Sequence, residues 1–252
     1  MIASGRRPPA GDYNGAVSFP VRAITLDLDD TLWPFAPIGA RIERVLDGWM
    51  RQHSPATAAM FPVPAMRALR ERVWRENPQL AYDLGTLRRM TLEIALRDSG
   101  GDIGLLDAAY DAFYAERNRV EFYPDALDAL ARIADRVPVV ALSNGNADLD
   151  RVGIGHLFAF GLHAREHGAA KPEASIFLAA CHRLGHAPEL VLHVGDHVEA
   201  DVAGAARAGL RSCWLRRDDH AGGHAGWPFD DVRPDLTFDS LAGLADWLDA
   251  HG

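Results

Sequence analysis

The stretch AITLDLDDTLWP, Ala23 to Pro34, begins as an apolar, β-forming run and then places acids at Asp27, Asp29 and Asp30. A lone carboxylate taken out of water is costly, so such acids need a cation, hydrogen bonds or a solvated cleft. Residues two apart in a strand share a face, which puts Asp27 and Asp29 on one side, about 6–7 Å apart along the chain, with Leu28 opposite. The DTLWP that follows leaves the strand, so both carboxylates fall at its C-terminal end, where open parallel sheets bind ligands. Thr31 stands where strand gives way to loop, with its backbone and hydroxyl available to the same site.

Five further segments read as strands: PVVALSN (138–144), AFGLHA (159–164), LVLHVGD (190–196), RSCWLR (211–216) and DLTFDS (235–240). Several are near-continuous apolar runs, as expected of strands covered on both faces. Amphipathic helices fill the gaps: PDALDALARIADR, PEASIFLAACHRLG, VEADVAGAARAG and SLAGLADWLDAHG. This alternation predicts an α/β fold with a doubly wound, mostly parallel, Rossmann-like sheet. From Pro34 to Val120 the pattern is helical throughout, in four helices. An insertion after the first strand explains this better than a fusion of two domains, which would leave that strand on the wrong side. The expected organisation is a tail over residues 1–20, a core of residues 21–33 and 121–252, and a helical insertion over 34–120.

The tail carries an arginine pair with no apolar run after it, which does not fit a secretion signal. Asp218–Asp235 reads as a loop, with His220 and His224 as solvated residues, because no third metal ligand lies near in sequence.

The chain has 252 residues, 48% hydrophobic, enough for a substantial core. Its formal charge of −9 gives nucleic acid no electrostatic welcome. No apolar run reaches transmembrane length, so no membrane role is expected. Two cysteines, Cys181 and Cys213, outside any metal-binding spacing suit a reducing cytoplasm. Nothing in the sequence sets an oligomeric state.

Other polar signals recur at equivalent strand ends. ALSNGN ends the second strand with Ser143 and Asn144; HVGDHVEAD ends the fourth with Asp196 and, five residues on, Asp201. Lys171, in GAAKPEASIF, precedes a helix and can meet an anion. Asp27, Asp196 and Asp201 in one crevice would repel one another and push a proton onto one of them. A divalent cation and Lys171 would relieve the crowding. Magnesium suits an all-oxygen ligand set, and a phosphate group could bridge metal and lysine.

In order, DLDDT, LSN, KPEASIF and GDHVEAD resemble the four motifs of the haloacid-dehalogenase-like hydrolase superfamily, and the helical insertion resembles its C1-type cap. The resemblance implies that Asp27 attacks phosphorus to form an aspartyl-phosphate. Asp29 would protonate the leaving alcohol and then deprotonate water, a shuttle that suits a carboxyl whose neighbours raise its pKa. Ser143 and the backbone of Asn144, with Thr31 beside them, would bind phosphoryl oxygens, and Lys171 would neutralise developing charge. Mg²⁺ would be held by the carboxylates of Asp27 and Asp196 and the backbone carbonyl of Asp29, with Asp201 in support.

The acid at Asp29 argues against a dehalogenase, whose family members lack it, and Thr31 resembles the phosphatase branch. A small-molecule phosphate ester is the implied substrate. SNGNA and CWLRR are similar to the bacterial flavin-pathway phosphatases, which act on 5-amino-6-(5-phospho-D-ribitylamino)uracil and FMN, placing the chain in riboflavin metabolism. Sugar-phosphate or phosphoglycolate-type phosphatases, or a non-catalytic phosphoacceptor module, are the alternatives.

Among the remaining residues, Asp30 reads as a turn or cap residue and His193 as a hydrogen-bonded sheet histidine. His197 stands where relatives often have a second Asp; it could bind a water near a metal or simply face solvent. Trp33–Pro34 reads as the hinge into the insertion and Tyr123–Pro124 as the return. Tyr82, Asp83, Arg88 and Arg89 are in the insertion, where most charges are solvated surface.

Overall fold

The computed structural model describes residues 18–217 and 227–251; His220, His224 and the first seventeen residues of the expected tail lie outside them. Six strands form one parallel sheet in the order β3-β2-β1-β4-β5-β6. They are β1 (Ala23–Leu26), β2 (Val139–Ser143), β3 (Phe160–His163), β4 (Val191–Gly195), β5 (Arg211–Leu215) and β6 (Leu236–Phe238). Every residue of β1, β2 and β4 is buried, as their unbroken apolar runs require of central strands.

Between β1 and β2 the chain is helical: α1 (Phe35–His53), α2 (Pro55–Met60), α3 (Val63–Glu76), α4 (Leu84–Asp98) and α5 (Leu106–Arg117). The four long helices are those read from the sequence, with the short α2 added. α1 packs on α5 and α3 on α4. Leu69, Val73, Leu87 and Ala95 make a small core between α3 and α4. Apolar residues of α1 and α5 instead join the cluster that contains Ile24 and Trp33 beneath them. The chain leaves and re-enters the sheet at one place, because Tyr123 N–H donates to the Leu32 carbonyl at 2.9 Å.

The remaining helices are α6 (Ala126–Ala134), α7 (Leu149–Val152), α8 (Ala164–His167), α9 (Ala174–Leu184), α10 (Gly204–Arg207) and α11 (Leu241–His251). α6 and α11 pack together against one face of the sheet. Ile176, Phe177 and Ala180 of α9 and Ala205 of α10 cover the other.

The segment expected as a single helix from Val198 begins differently. Val198–Ala203 is a π-helical turn, widened so that Val202 N–H reaches the His197 carbonyl. Such turns are rare and frequent at functional sites, and this one carries the buried Asp201. Phe19, in the segment read as tail, is buried against Trp247 at a centroid distance of 5.4 Å. Both cysteines are free and buried. No helix among the described residues is long and apolar enough to cross a membrane.

Candidate active site

The order of the strands reverses between β1 and β4, and in such sheets the crevice at their carboxyl ends is the binding site. Register fixes what meets there: Leu26 pairs with Val194 and with Ala141, so β1, β4 and β2 end side by side. Asp27 continues from β1 with its N–H on the Val194 carbonyl at 2.9 Å. Ser143 ends β2, and Asp196 follows β4.

Lys171 joins these ends. Its Nζ donates to Asp27 Oδ1 and Asp201 Oδ1, each at 2.6 Å, with all three side chains buried. Asn144 sets the lysine in place from its backbone: Nδ2 donates to the Lys171 carbonyl at 2.9 Å, and Oδ1 accepts the Lys171 N–H at 2.8 Å. Burial alone would depress the lysine; the Asp201 and Asp27 carboxylates outweigh it and hold its pKa above the ordinary value. Burial also lifts the Asp27 carboxyl well above its usual range. Lys171 opposes that rise, whereas Asp201 and Asp196 add to it. The carboxylates of Asp27, Asp196 and Asp201 do gather in one crevice, as the strand ends implied.

Asp201 is braced on all sides. Oδ1 accepts from Lys171 and lies 3.0 Å from His193 Nε2, while Oδ2 accepts the His197 N–H at 2.9 Å. Burial would raise its pKa, but Lys171 and His193 hold it below the usual carboxylate range. His193 is the buried sheet histidine expected, with Nδ1 2.8 Å from the Thr25 hydroxyl, and burial lowers its pKa. Gly195 is required beside this group, because a Cβ there would stand 2.3 Å from the Asp201 carboxylate.

Ligating oxygens of Asp27, Asp196 and Asp201 all lie within 4.8 Å of one another. Three carboxylates face one ammonium, so a hard divalent cation fits both the donor set and the charge. Asp201 is engaged by Lys171, His193 and the His197 N–H, and Asp27 shares the Lys171 ammonium. The Thr31 hydroxyl donates to Asp196 Oδ1 at 2.9 Å and lies 3.4 Å from Asp27 Oδ2. It is fully buried, so it holds the carboxylates and does not face the open cleft as a phosphate ligand would. Its carbonyl accepts from Arg217 Nη2 at 2.9 Å, which secures the loop.

Asp29 opens into the same cleft but is not surrounded by acids. Oδ1 accepts from Trp33 Nε1 at 2.8 Å and Oδ2 from Arg117 Nη2 at 2.6 Å. Both of its hydrogen-bond partners are donors. Arg117 also donates from Nε to Asn146 Oδ1 at 3.1 Å, and it is buried. Sequence reasoning missed it, since AERNR presents three charges in five residues with nothing to mark one of them. Ser143 Oγ lines the cleft and accepts the Gly145 N–H at 2.9 Å.

The cleft encloses about 560 Å³, with these residues as its floor and the insertion as its other wall. Asp30, also at the edge of the cleft, sits at φ 61° and accepts Phe35 N–H at 2.8 Å at the start of α1. His197 is exposed at the rim, and its Nδ1 accepts Ala200 N–H at 3.1 Å. Of the four residues singled out in the insertion, Arg88 lines the cleft. Asp83 caps α4, Arg89 pairs with Asp107, and Tyr82 packs on the apolar side of the sheet.

Comparison with known proteins fits this arrangement. The haloacid dehalogenase-like hydrolase family profile matches residues 21–209. The 5-amino-6-(5-phospho-D-ribitylamino)uracil phosphatase YigB of Escherichia coli is 33% identical over 200 residues, covering 78% of this chain and 84% of that protein. The phosphoserine phosphatase of Thermus thermophilus is 30% identical over 222 residues, covering 78% and 89%. Among solved structures, the 2-haloacid dehalogenase of Pseudomonas syringae pv. Tomato superposes with a TM-score of 0.82 at 32% identity. It covers 92% of this chain and all of its own.

Proposed function

Because this chain is a hydrolase of the haloacid dehalogenase-like family, we propose that it is a magnesium-dependent phosphatase of small phosphorylated metabolites. The observation that carries this reading is the junction of Asp27, Lys171 and Asp201, with Asp29 standing apart on its own pair of donors. Asp27 has Oδ1 held by Lys171, which orients the carboxylate for in-line attack on phosphorus. Attack forms an aspartyl-phosphate and expels the alcohol, and Lys171 with Ser143 meets the charge on the phosphoryl oxygens.

Asp29 handles the proton. It delivers one to the departing oxygen and, once ionised between Trp33 and Arg117, takes one from the water that hydrolyses the intermediate. Magnesium, held by Asp27, Asp196 and the backbone carbonyl of Asp29, would supply further neutralisation of the phosphoryl charge. The insertion acts as a cap that shields the intermediate from bulk water. The physiological ester we favour is 5-amino-6-(5-phospho-D-ribitylamino)uracil, with FMN as a related substrate, in keeping with the similarity to YigB. The two free thiols suit a cytoplasmic location.

Two experiments test this. Hydrolysis of p-nitrophenyl phosphate should require Mg²⁺ and disappear in Asp27→Asn; absence of turnover would favour a phosphoacceptor or binding module. A screen of metabolite monophosphates for phosphate release then identifies the ester. The similarity to a 2-haloacid dehalogenase favours a second reading. The acid at Asp29, held in the cleft by two donors, speaks against it, because displacement of halide needs no acid for an alcohol leaving group. Halide release from 2-chloropropionate without phosphate release from any ester would reverse the choice.

A further inference from the structure

The wall of the cleft opposite Asp27 has two features that the phosphoryl chemistry does not use. The first is exposed aromatic surface. Phe35 and Trp74 are 37% and 40% exposed, and both stand inside the cleft. Large apolar side chains left open in a concave site mark a ligand surface.

The second is Arg88, on α4, half-buried in that wall. One face of its guanidinium is covered by the Phe113 ring, 4.8 Å from the centroid. Among the described residues no carboxylate is in ion-pair contact with it. Glu43, the acid that acts on it across the cleft wall, is gripped by Arg67 at 2.6 Å and lies 3.6 Å from Arg70. Burial, and then the like charge of Arg70, depress the Arg88 pKa to about 10. A guanidinium in that position lacks the acceptors that normally compensate its loss of water.

We propose that Arg88, Phe35 and Trp74 form the leaving-group subsite of this cleft, and that it takes a planar ring carrying carbonyl acceptors. With its face against Phe113, the guanidinium presents its N–H edge, which matches acceptors lying in one plane. Phe35 and Trp74 offer ring faces for stacking. A second anion at the far end of the substrate fits less well. Arg70 in that wall is turned to Glu43, whose two oxygens are taken by Arg67, while the exposed Glu71 would repel a carboxylate and its oxygens suit the N–H edge of a ring. The inference rests on the phosphatase reading of the same site and adds to it the part of the substrate that is recognised.

The test compares FMN, phosphoserine and glycerol phosphate as substrates, and riboflavin as a ligand without metal. Arg88→Met should lower the FMN-to-glycerol phosphate ratio of kcat/KM by about tenfold or more, mainly through KM, as expected when a charged donor is lost. Trp74→Leu should lower the same ratio, and Arg88→Lys should fall between wild type and Arg88→Met. Riboflavin should bind the wild type and lose about tenfold in affinity in Arg88→Met, read from flavin emission. An unchanged ratio, a loss falling on phosphoserine instead, or riboflavin affinity indifferent to Arg88 would overturn the subsite. Failure of every ester to release phosphate would defeat the phosphatase reading alone, because riboflavin binding still decides the subsite.

Discussion

Arg117 Nη2 lies 2.6 Å from Asp29 Oδ2, so the last residue of the insertion's final helix grips the acid carried by the loop after β1. Its guanidinium also faces the Phe35 ring at 5.4 Å, at the start of the insertion's first helix. The Asp29 carboxylate is thus positioned jointly by Trp33, in the loop after β1, and by the helical insertion. Gly145 makes room for the contact: a Cβ there would stand 2.6 Å from Asp29 Oδ2 and 2.9 Å from Arg117 Nη2.

Arg117→Met removes a buried partner and leaves Asp29 with Trp33 alone. Losing one member of a buried pair costs about 3 kcal/mol, and the variant should melt earlier. Its kcat should fall by roughly 10²-fold, the scale for a misplaced catalytic group. Arg117→Lys keeps the charge without the fork and should regain stability more than kcat. Thermal melting and steady-state kinetics on one ester check both.

The two hydrogen bonds from Asn144 to the Lys171 backbone predict coupling between these residues. Asn144→Leu should lower kcat/KM by about 10–100-fold through misplacement of the ammonium. Lys171→Met should lose more, on the order of 10²–10³ or beyond. In the double variant the losses should not add, because Asn144 acts through Lys171. Additive losses would assign Asn144 a separate role.

Gly195→Ala places its Cβ 2.3 Å from a buried carboxylate that cannot move without leaving Lys171, His193 and the His197 N–H. Overpacking of this kind costs about 1–3 kcal/mol, so the denaturation midpoint should fall. Activity should fall further than folding, since the Asp201 brace positions Lys171.

His193 is packed against the Thr25 hydroxyl, Asp201, the edge of Phe177 and the Lys171 charge. Burial lowers its pKa below the ordinary 6.5. Its contribution to stability is therefore present above that ordinary value and is lost as pH falls through it, by at most about 1.4 kcal/mol per pH unit. Asp27, held high, runs the opposite way and favours folding at lower pH. Because the two act in opposite senses, the His193 share is the difference between metal-free wild type and His193→Asn, which should grow against the wild type as pH falls below about 6.5. Parallel melting profiles would remove His193 from the cause.

Much of this was legible in the sequence. Runs such as PVVALSN could only be strands buried on both faces, and acids at their ends had to converge once the strands were parallel. Asp27, Lys171, Asp196 and Asp201 meet as those ends implied. What the letters did not carry is direction. Thr31 sits at the strand end as its position implies, yet its hydroxyl turns to Asp27 and Asp196 and not into the cleft. Asn144 contributes its side chain to Lys171 as well as a backbone to the cleft. The partners of Asp29 come from four residues and eighty-eight residues away. The nearer one, Trp33, read only as a hinge, and no periodicity distinguishes Arg117 from its charged neighbours.

Phosphorylation of Asp27, with Asp29 needed to release the phosphate, can be read directly by trapping the phosphoenzyme. Asp29→Asn should be incubated with acetyl phosphate and Mg²⁺, quenched in acid, and examined by intact mass and peptide mapping. One added phosphoryl group is expected on the peptide containing Asp27, persisting in Asp29→Asn and absent from Asp27→Asn. Phosphate found on another residue, or Asp29→Asn turning over at the wild-type rate with no trapped species, would contradict it.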